Sequence, residues 1–241
     1  MASVVRGKAV LVTGASRGIG EAVARALAWR GARVGLFARG RAALEDLARE
    51  LAYPESGGAA LALPGDITRP DDLAAAVERL EEAFGPVWAL VNSAGVGVFG
   101  PIWELSDEDW ERVRAVNLDG AFHAMRAVLP TMLREERGTI VHIGSLASRY
   151  AFAGGAAYNA SKFGLLGLAE ASLHDLRPRG VRVSTILPGS VNTTFSSERA
   201  DADWKIQPTD VAETVLYVLE SDTGVIPSVI ELRPRRSKPA D

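Results

Sequence analysis

The sequence predicts a single doubly wound α/β domain, and three observations carry that prediction. Short apolar runs alternate with longer amphipathic ones, the short runs are apolar at nearly every position, and a glycine-rich turn follows the first of them. Strands are expected near 8–13, 33–38, 59–63, 87–91, 138–143, 181–187 and 225–231. Between them, helical periodicity spans 18–30, 41–51, 70–84, 107–134, 157–177 and 209–219. Such alternation implies right-handed crossovers and a parallel sheet of about seven strands with helices on both faces. Ala9-Val10-Leu11-Val12, Trp88-Ala89-Leu90-Val91 and Ile140-Val141-His142-Ile143 lack a polar alternate, as strands covered on both sides should. Ser106 with Asp109, and Thr209 with Glu213, read as helix-start capping pairs. Residues 54–58 form a loop, and no repeat or low-complexity linker divides the chain, so 1–233 is expected to be one domain. Residues 234–241 make a polar, basic tail.

Composition narrows the class. The 241 residues carry 27 basic and 30 acidic side chains, a formal charge of −3, which gives no electrostatic reason to expect nucleic acid. With 47% hydrophobic and 24% charged residues the chain is of ordinary globular composition. The absence of cysteine excludes disulfides, thiolate nucleophiles and Cys-bearing zinc sites. Before Thr13 the longest apolar run is Ala9 to Val12, shorter than the roughly 7–15 residues of a signal-peptide core. Nowhere does a run reach the roughly 20 apolar residues of a membrane span. A cytoplasmic protein without membrane or nucleic-acid partners is expected. His123, His142 and His174 have no spacing that pairs them as ligands, so no metal is predicted.

Thr13-Gly14-Ala15-Ser16-Arg17-Gly18-Ile19-Gly20 stands between the first strand and the first helix. Glycine there permits positive φ and lets a diphosphate approach free N–H groups at the positive end of the helix dipole. That predicts a nucleotide site in a Rossmann-type sheet. NAD-binding proteins of this architecture place an acid about 20 residues after the glycines to hold the ribose hydroxyls. Here the second strand ends instead in Arg39, with Arg41 behind it and Arg17 inside the glycine turn. Guanidinium groups converging on that point suit a 2′-phosphate, so NADP(H) is favoured over NAD(H).

Tyr158 and Lys162, four apart at the start of a helical segment, face the same way. An ammonium about 4 Å from a phenolate is worth about 4 kcal/mol at an effective dielectric of about 20, enough to lower a tyrosine pKa by up to about 3 units. Tyr158 is therefore expected to titrate near working pH as a general acid/base. Ser145, just past the fifth strand, lies at the carboxyl edge where open α/β sheets bind ligands, and its hydroxyl can polarise a carbonyl.

With these residues in view, the chain resembles the short-chain dehydrogenase/reductase family over Lys8 to Thr193. The glycine turn resembles the family's cofactor turn, with Gly14, Ser16, Arg17, Gly18, Ile19 and Gly20 implied in binding. Asp66 and Ile67 match the segment contacting the adenine ring. Asn92-Ser93-Ala94-Gly95 resembles the Asn-Asn-Ala-Gly brace of the central sheet, with Ser93 in place of the second asparagine. Asn117 matches the helix asparagine that holds a proton-relay water. Ser145, Tyr158 and Lys162 match the remaining catalytic residues, Tyr158 following Ser145 by the family's usual 13 positions. Pro188, Gly189, Val191 and Thr193 match the segment beside the nicotinamide. The C-terminus, Val229-Ile230-Glu231-Leu232-Arg233-Pro234, departs from the family's Asp-Gly-Gly ending, which leaves homodimer or homotetramer open.

The resemblance implies hydride transfer between a nicotinamide and a small carbonyl or alcohol. A 3-oxoacyl-thioester reductase and a non-catalytic NADP(H)-binding sensor are the alternatives, and the full set of Asn117, Ser145, Tyr158 and Lys162 argues against the sensor. A carrier-protein substrate would need a basic surface, for which Arg126, Arg134 and Arg137 are candidates. The substrate lid is expected at 190–207, with Phe195, Arg199, Trp204 and Lys205. Val96, Val98 and Phe99 should line one wall, with Leu146, Ser148 and Arg149 on another; Arg149 could pair with a substrate carboxylate.

Overall fold

The computed structural model describes residues 3–53, 55–195, 203–221 and 224–236. Seven parallel strands form one sheet in the order β3-β2-β1-β4-β5-β6-β7. They are β1 (Ala9–Thr13), β2 (Arg33–Ala38), β3 (Ala59–Pro64), β4 (Val87–Asn92), β5 (Gly138–Ile143), β6 (Val181–Pro188) and β7 (Val229–Leu232). β1, β4 and β5 are buried at every position, which is why their sequences show no polar alternate.

The helices are α1 (Gly18–Trp29), α2 (Arg41–Glu50), α3 (Pro70–Phe84), α4 (Asp107–Arg114), α5 (Gly120–Arg134), α6 (Ala156–Leu176) and α7 (Pro208–Glu220). Val23, Leu27, Leu44, Val215 and Leu219 of α1, α2 and α7 build the core on one face. Leu73, Leu80, Met125, Val128, Ala169 and Leu176 of α3, α5 and α6 build it on the other. Strand order reverses between β1 and β4, so the turns after these two strands open a crevice at the carboxyl edge.

Three expectations are corrected. The helix expected over 107–134 is two helices joined by a π-helical turn, Ala115–Asp119, in which Asn117 is buried and bonded to the backbone of Val96. A widened turn of this kind re-aims one side chain, and π-turns concentrate at functional sites. The last strand begins at Val229 rather than 225 because Pro227 has no N–H for the ladder; Val225 is left 60% exposed. Helix α7 starts at Pro208, so its cap is Gln207 with Asp210, not Thr209 with Glu213: the Gln207 N–H donates to Asp210 Oδ2 at 2.8 Å. Ser106 caps α4 as expected, accepting from the Asp109 N–H at 3.1 Å.

A buried polar row crosses the sheet near that edge, since Thr13, Asn92, His142 and Thr185 are in register on β1, β4, β5 and β6. Asn92 Nδ2 lies 3.3 Å from the Ala121 carbonyl and 3.4 Å from His142 Nδ1, while His142 Nε2 is buried with no hydrogen-bond partner among the described residues. Burial, reinforced by the nearby Lys162 charge, pushes the His142 pKa down to about 3, so the imidazole is neutral in the fold. Below about 6.5 the unfolded chain takes up a proton at this position that the folded chain refuses, so acid removes stability between about 6.5 and about 3. Urea unfolding midpoints from pH 7 to pH 4 should therefore fall less steeply for His142→Gln than for the parent; equal slopes would remove His142 as the cause.

Candidate active site

The glycine turn is shaped by two close approaches. Gly14 has φ +67, and a Cβ there would lie 2.7 Å from Ala94 Cα; a Cβ at Gly20 would lie 2.2 Å from the Gly14 carbonyl oxygen. The buried Thr13 hydroxyl accepts from the N–H groups of Ser93 at 3.2 Å and Ala94 at 3.3 Å, tying the turn after β1 to the turn after β4. Arg17, in extended backbone, precedes α1 with no side-chain cap, so the first N–H groups of that helix face the crevice. A cavity of about 1120 Å³ runs from this turn along the carboxyl edge. It exceeds the roughly 300–1,000 Å³ of a single-ligand pocket, leaving room for a dinucleotide and a second small molecule.

Most residues expected in the site line this cavity: Gly14, Ser16, Arg17, Gly18, Ile19, Gly20, Arg39, Asp66, Ile67, Ala94, Gly95, Val96, Ser145, Leu146, Tyr158, Lys162, Pro188, Gly189, Val191, Thr193 and Phe195. The glycine cradle, the open helix start and the two arginines fit a dinucleotide phosphate group. Among the described residues neither Arg17 nor Arg39 forms a side-chain ion pair, whereas Arg41 lies on the surface of α2, 3.5 Å from Glu45. Burial pushes the Asp66 pKa up, but bonds from the Thr68 N–H at 2.9 Å and hydroxyl at 2.8 Å, with Arg39 and Arg69 nearby, outweigh it and hold the carboxyl below its usual value.

The chemistry-bearing side chains come from β5, α6 and the π-turn. Ser145 follows β5 and caps a short 3-10 turn, Leu146–Ser148; its Oγ accepts from the Ala147 N–H at 3.1 Å and shares the cavity wall with Tyr158. Lys162, one turn along α6, is buried and donates from Nζ to the Ile143 carbonyl at 3.0 Å. Asn117 Oδ1 accepts from the Val96 N–H at 2.8 Å, and Nδ2 donates to the Val96 carbonyl at 2.9 Å and to Ser161 Oγ at 3.0 Å. Both amide hydrogens are bonded within the frame, so the side chain clamps the loop after β4 to α6.

The expected lysine-driven fall in the tyrosine pKa does not occur. Burial raises the Tyr158 pKa, and the nearby Ser145 hydroxyl only partly offsets it. Nζ of Lys162 lies 5.8 Å from the centre of the Tyr158 ring, and burial pushes the Lys162 pKa itself down to about 8. Desolvation penalises the charged form of each group.

Six expected residues lie off the cavity wall. Asn92 and Asn117 are buried behind it as braces. Arg149 turns away to Glu231, at 3.0 Å, and its neighbour Tyr150 lies under the Arg233 guanidinium, 5.0 Å from ring centre. The atypical C-terminal strand therefore takes the arginine that the sequence offers to substrate. Trp204 lines a separate depression of about 510 Å³ with Arg233 and Arg236. Val98 is also off the wall, and Ser148 is buried, bonded to the Ser145 N–H at 3.3 Å. The lid's ends are joined by Asn192 N–H to Ile206 O at 2.8 Å and Ile206 N–H to Ser190 O at 3.0 Å; residues 196–202, including Arg199, lie outside the described residues. Arg134 and Arg137 sit where α5 returns to the start of β5, at the edge opposite the site, and do not supply a basic rim. Sequence reading missed Tyr150 and Phe152, which line the cavity; their aromatic character within the interval between Ser145 and Tyr158 was the available signal. Among the described residues no cluster of metal-ligating side chains occurs, and no helix is long and apolar enough to cross a membrane.

Residues 8–204 match the short chain dehydrogenase family. A 2-(S)-hydroxypropyl-CoM dehydrogenase of Xanthobacter autotrophicus is 32% identical over 244 residues, covering 94% of this chain and 94% of its own. An uncharacterized oxidoreductase of Staphylococcus saprophyticus is 33% identical over 231 residues, covering 94% and 97%. Among solved structures, an alcohol dehydrogenase from the archaeon Thermococcus sibiricus complexed with 5-hydroxy-NADP superposes with a TM-score of 0.89 at 30% identity, over 97% of this chain and 99% of that one. A metagenomic short-chain oxidoreductase in complex with NADP gives 0.85 at 37% identity, over 98% and 100%.

The cradle geometry is open to a direct check. Gly14→Ala combines positive φ with a backbone clash and should cost at least about 1–3 kcal/mol of stability. Gly167→Ala, in open space on α6, should instead stabilise by about 0.5–1 kcal/mol. Denaturant titration of the two variants measures both, and equal effects would dismiss the close approach at Ala94.

Proposed function

This chain belongs to the short-chain dehydrogenase family, and on that premise we propose that it is an NADP(H)-dependent oxidoreductase interconverting a carbonyl and a secondary or primary alcohol, with Tyr158 as general acid/base. The observation that carries this reading is that Ser145, Tyr158 and Lys162 line one cavity with the glycine turn. NADPH, when bound, supplies the hydride. Tyr158 Oη gives its proton to the carbonyl oxygen, and burial keeps that proton on the phenol until the oxygen becomes basic. Ser145 Oγ donates a hydrogen bond to the same oxygen, a preorganised dipole aimed where negative charge develops. Lys162, with a pKa near 8, holds a proton it can exchange close to neutral pH. Asn117 is a positioning residue that keeps the β4 loop and α6 in register.

NADP(H) over NAD(H) rests on Arg17 and Arg39 at the glycine-turn end of the cavity and on the missing acid after β2. The two NADP-type complexes among the structural neighbours support the same choice. Self-association as a dimer or tetramer belongs to this reading too, supported by exposed Trp110, Phe122 and Phe163 on α4, α5 and α6.

Tyr158→Phe should lower NADPH-dependent carbonyl reduction by at least about 100-fold while leaving NADPH affinity, followed by fluorescence, nearly unchanged; retention of near-parent turnover sinks the role. Arg39→Ala should raise the KM for NADPH about tenfold with little effect on that for NADH, as loss of one charge-assisted phosphate contact predicts. Equal changes for the two coenzymes would remove Arg39 from 2′-phosphate recognition.

A further inference from the structure

Resting on the reductase reading above, the geometry around Tyr158 points to a substrate class: we propose a carbonyl bearing an aromatic, uncharged group beside the reacting carbon. Rings from three separate segments gather at the Tyr158 ring. Phe99, after β4, meets it at 5.5 Å between centres and 63°, and Phe195, after β6, meets it at 5.8 Å and 55°. Phe152, between β5 and α6, reaches Phe99 at 6.0 Å. All three line the cavity.

The cup is built rather than incidental. A Cβ at Gly97 would lie 2.7 Å from Phe99 Cζ and 3.0 Å from Phe195 Cε1, and one at Gly155 would lie 2.7 Å from Phe152. The backbone is thus bare where the rings seat. Yet Phe99, Phe152 and Phe195 stay 45%, 47% and 39% exposed, a concentration of large apolar surface on one concave wall. Such surface gains most when a flat apolar group covers it, and rings inclined to one another accept a further ring edge-to-face or offset.

Charge on the wall points the same way. Among the described residues Arg112 is paired with Asp109 at 2.7 Å, Lys162 is bonded to Ile143, and Lys205 lies over Trp204 at 5.9 Å. Arg149, the cation expected to meet a carboxylate, is taken by Glu231. An anionic group in the cup would meet the negative faces of the rings and lose its water without a partner.

The test compares kcat/KM with NADPH for acetophenone, butanone and phenylglyoxylate, so that ring and charge vary separately. Acetophenone should exceed each of the others by about tenfold or more, and Phe195→Ala should lower its kcat/KM about tenfold, chiefly through KM, narrowing the preference over butanone. The parent comparison needs no variant, and Phe195→Leu, which keeps apolar volume, serves if the alanine variant does not fold. Butanone or phenylglyoxylate turned over as well as acetophenone overturns the substrate class and leaves the reductase reading standing. No NADPH oxidation with any carbonyl, these three and simple aldehydes included, overturns both.

Discussion

The close approach of the turn after β1 to the turn after β4 is the constraint on which the rest of this structure depends. Gly14 lies against Ala94 at a distance no side chain tolerates, and the Thr13 hydroxyl accepts two N–H groups from the facing segment. These contacts sit at the point where strand order reverses and the crossover helices diverge to opposite faces, opening a crevice at the carboxyl edge. From there the buried row Thr13, Asn92, His142 carries the registration across three strands to β5, whose end delivers Ser145. Asn117 extends the same frame sideways by clamping Val96 to α6. A buried polar frame is costly unless its groups are paired, and here most are; His142 Nε2, without a partner among the described residues, belongs to a ring held neutral.

The electrostatics of the site follow from burial more than from the pairing of Tyr158 with Lys162. In water a neighbouring ammonium would ease the phenol toward ionisation. Inside this wall, loss of hydration penalises each charged form separately, so the phenol holds its proton more firmly while the lysine holds its own less firmly. Under the proposed reductase reading, this suits giving a proton to a forming alkoxide, a strong base, rather than standing as a phenolate. The Ser145 hydroxyl, fixed by its place in a capped turn, is the group that relieves part of the tyrosine's penalty.

The cavity divides into ends of different character. At the glycine turn lie backbone N–H groups, Arg17, Arg39 and an ionised Asp66, features that suit a phosphorylated nucleotide. Around Tyr158 lie rings seated against glycines. The C-terminal strand sharpens the contrast, because Glu231 withdraws Arg149 and Arg233 covers Tyr150.

Much of this was legible in the residues themselves. Period and apolar runs determined the strands and their parallel sheet, because a strand buried on both faces leaves no polar alternate to misread. Glycine spacing and the Tyr158, Lys162 and Ser145 set determined where on the sheet the site lies, since strand ends and helix starts have local chemistry. What the sequence could not determine was set by partners distant in the chain. The π-turn at Asn117 depends on Val96 and Ser161, and the fate of Arg149 on Glu231. The Tyr158 pKa direction depends on how deeply the fold buries it, and the aromatic cup on three loops that meet only in space. Local sequence encodes period and turn chemistry; desolvation and side-chain pairing are sums over neighbours that only the packed tertiary structure supplies.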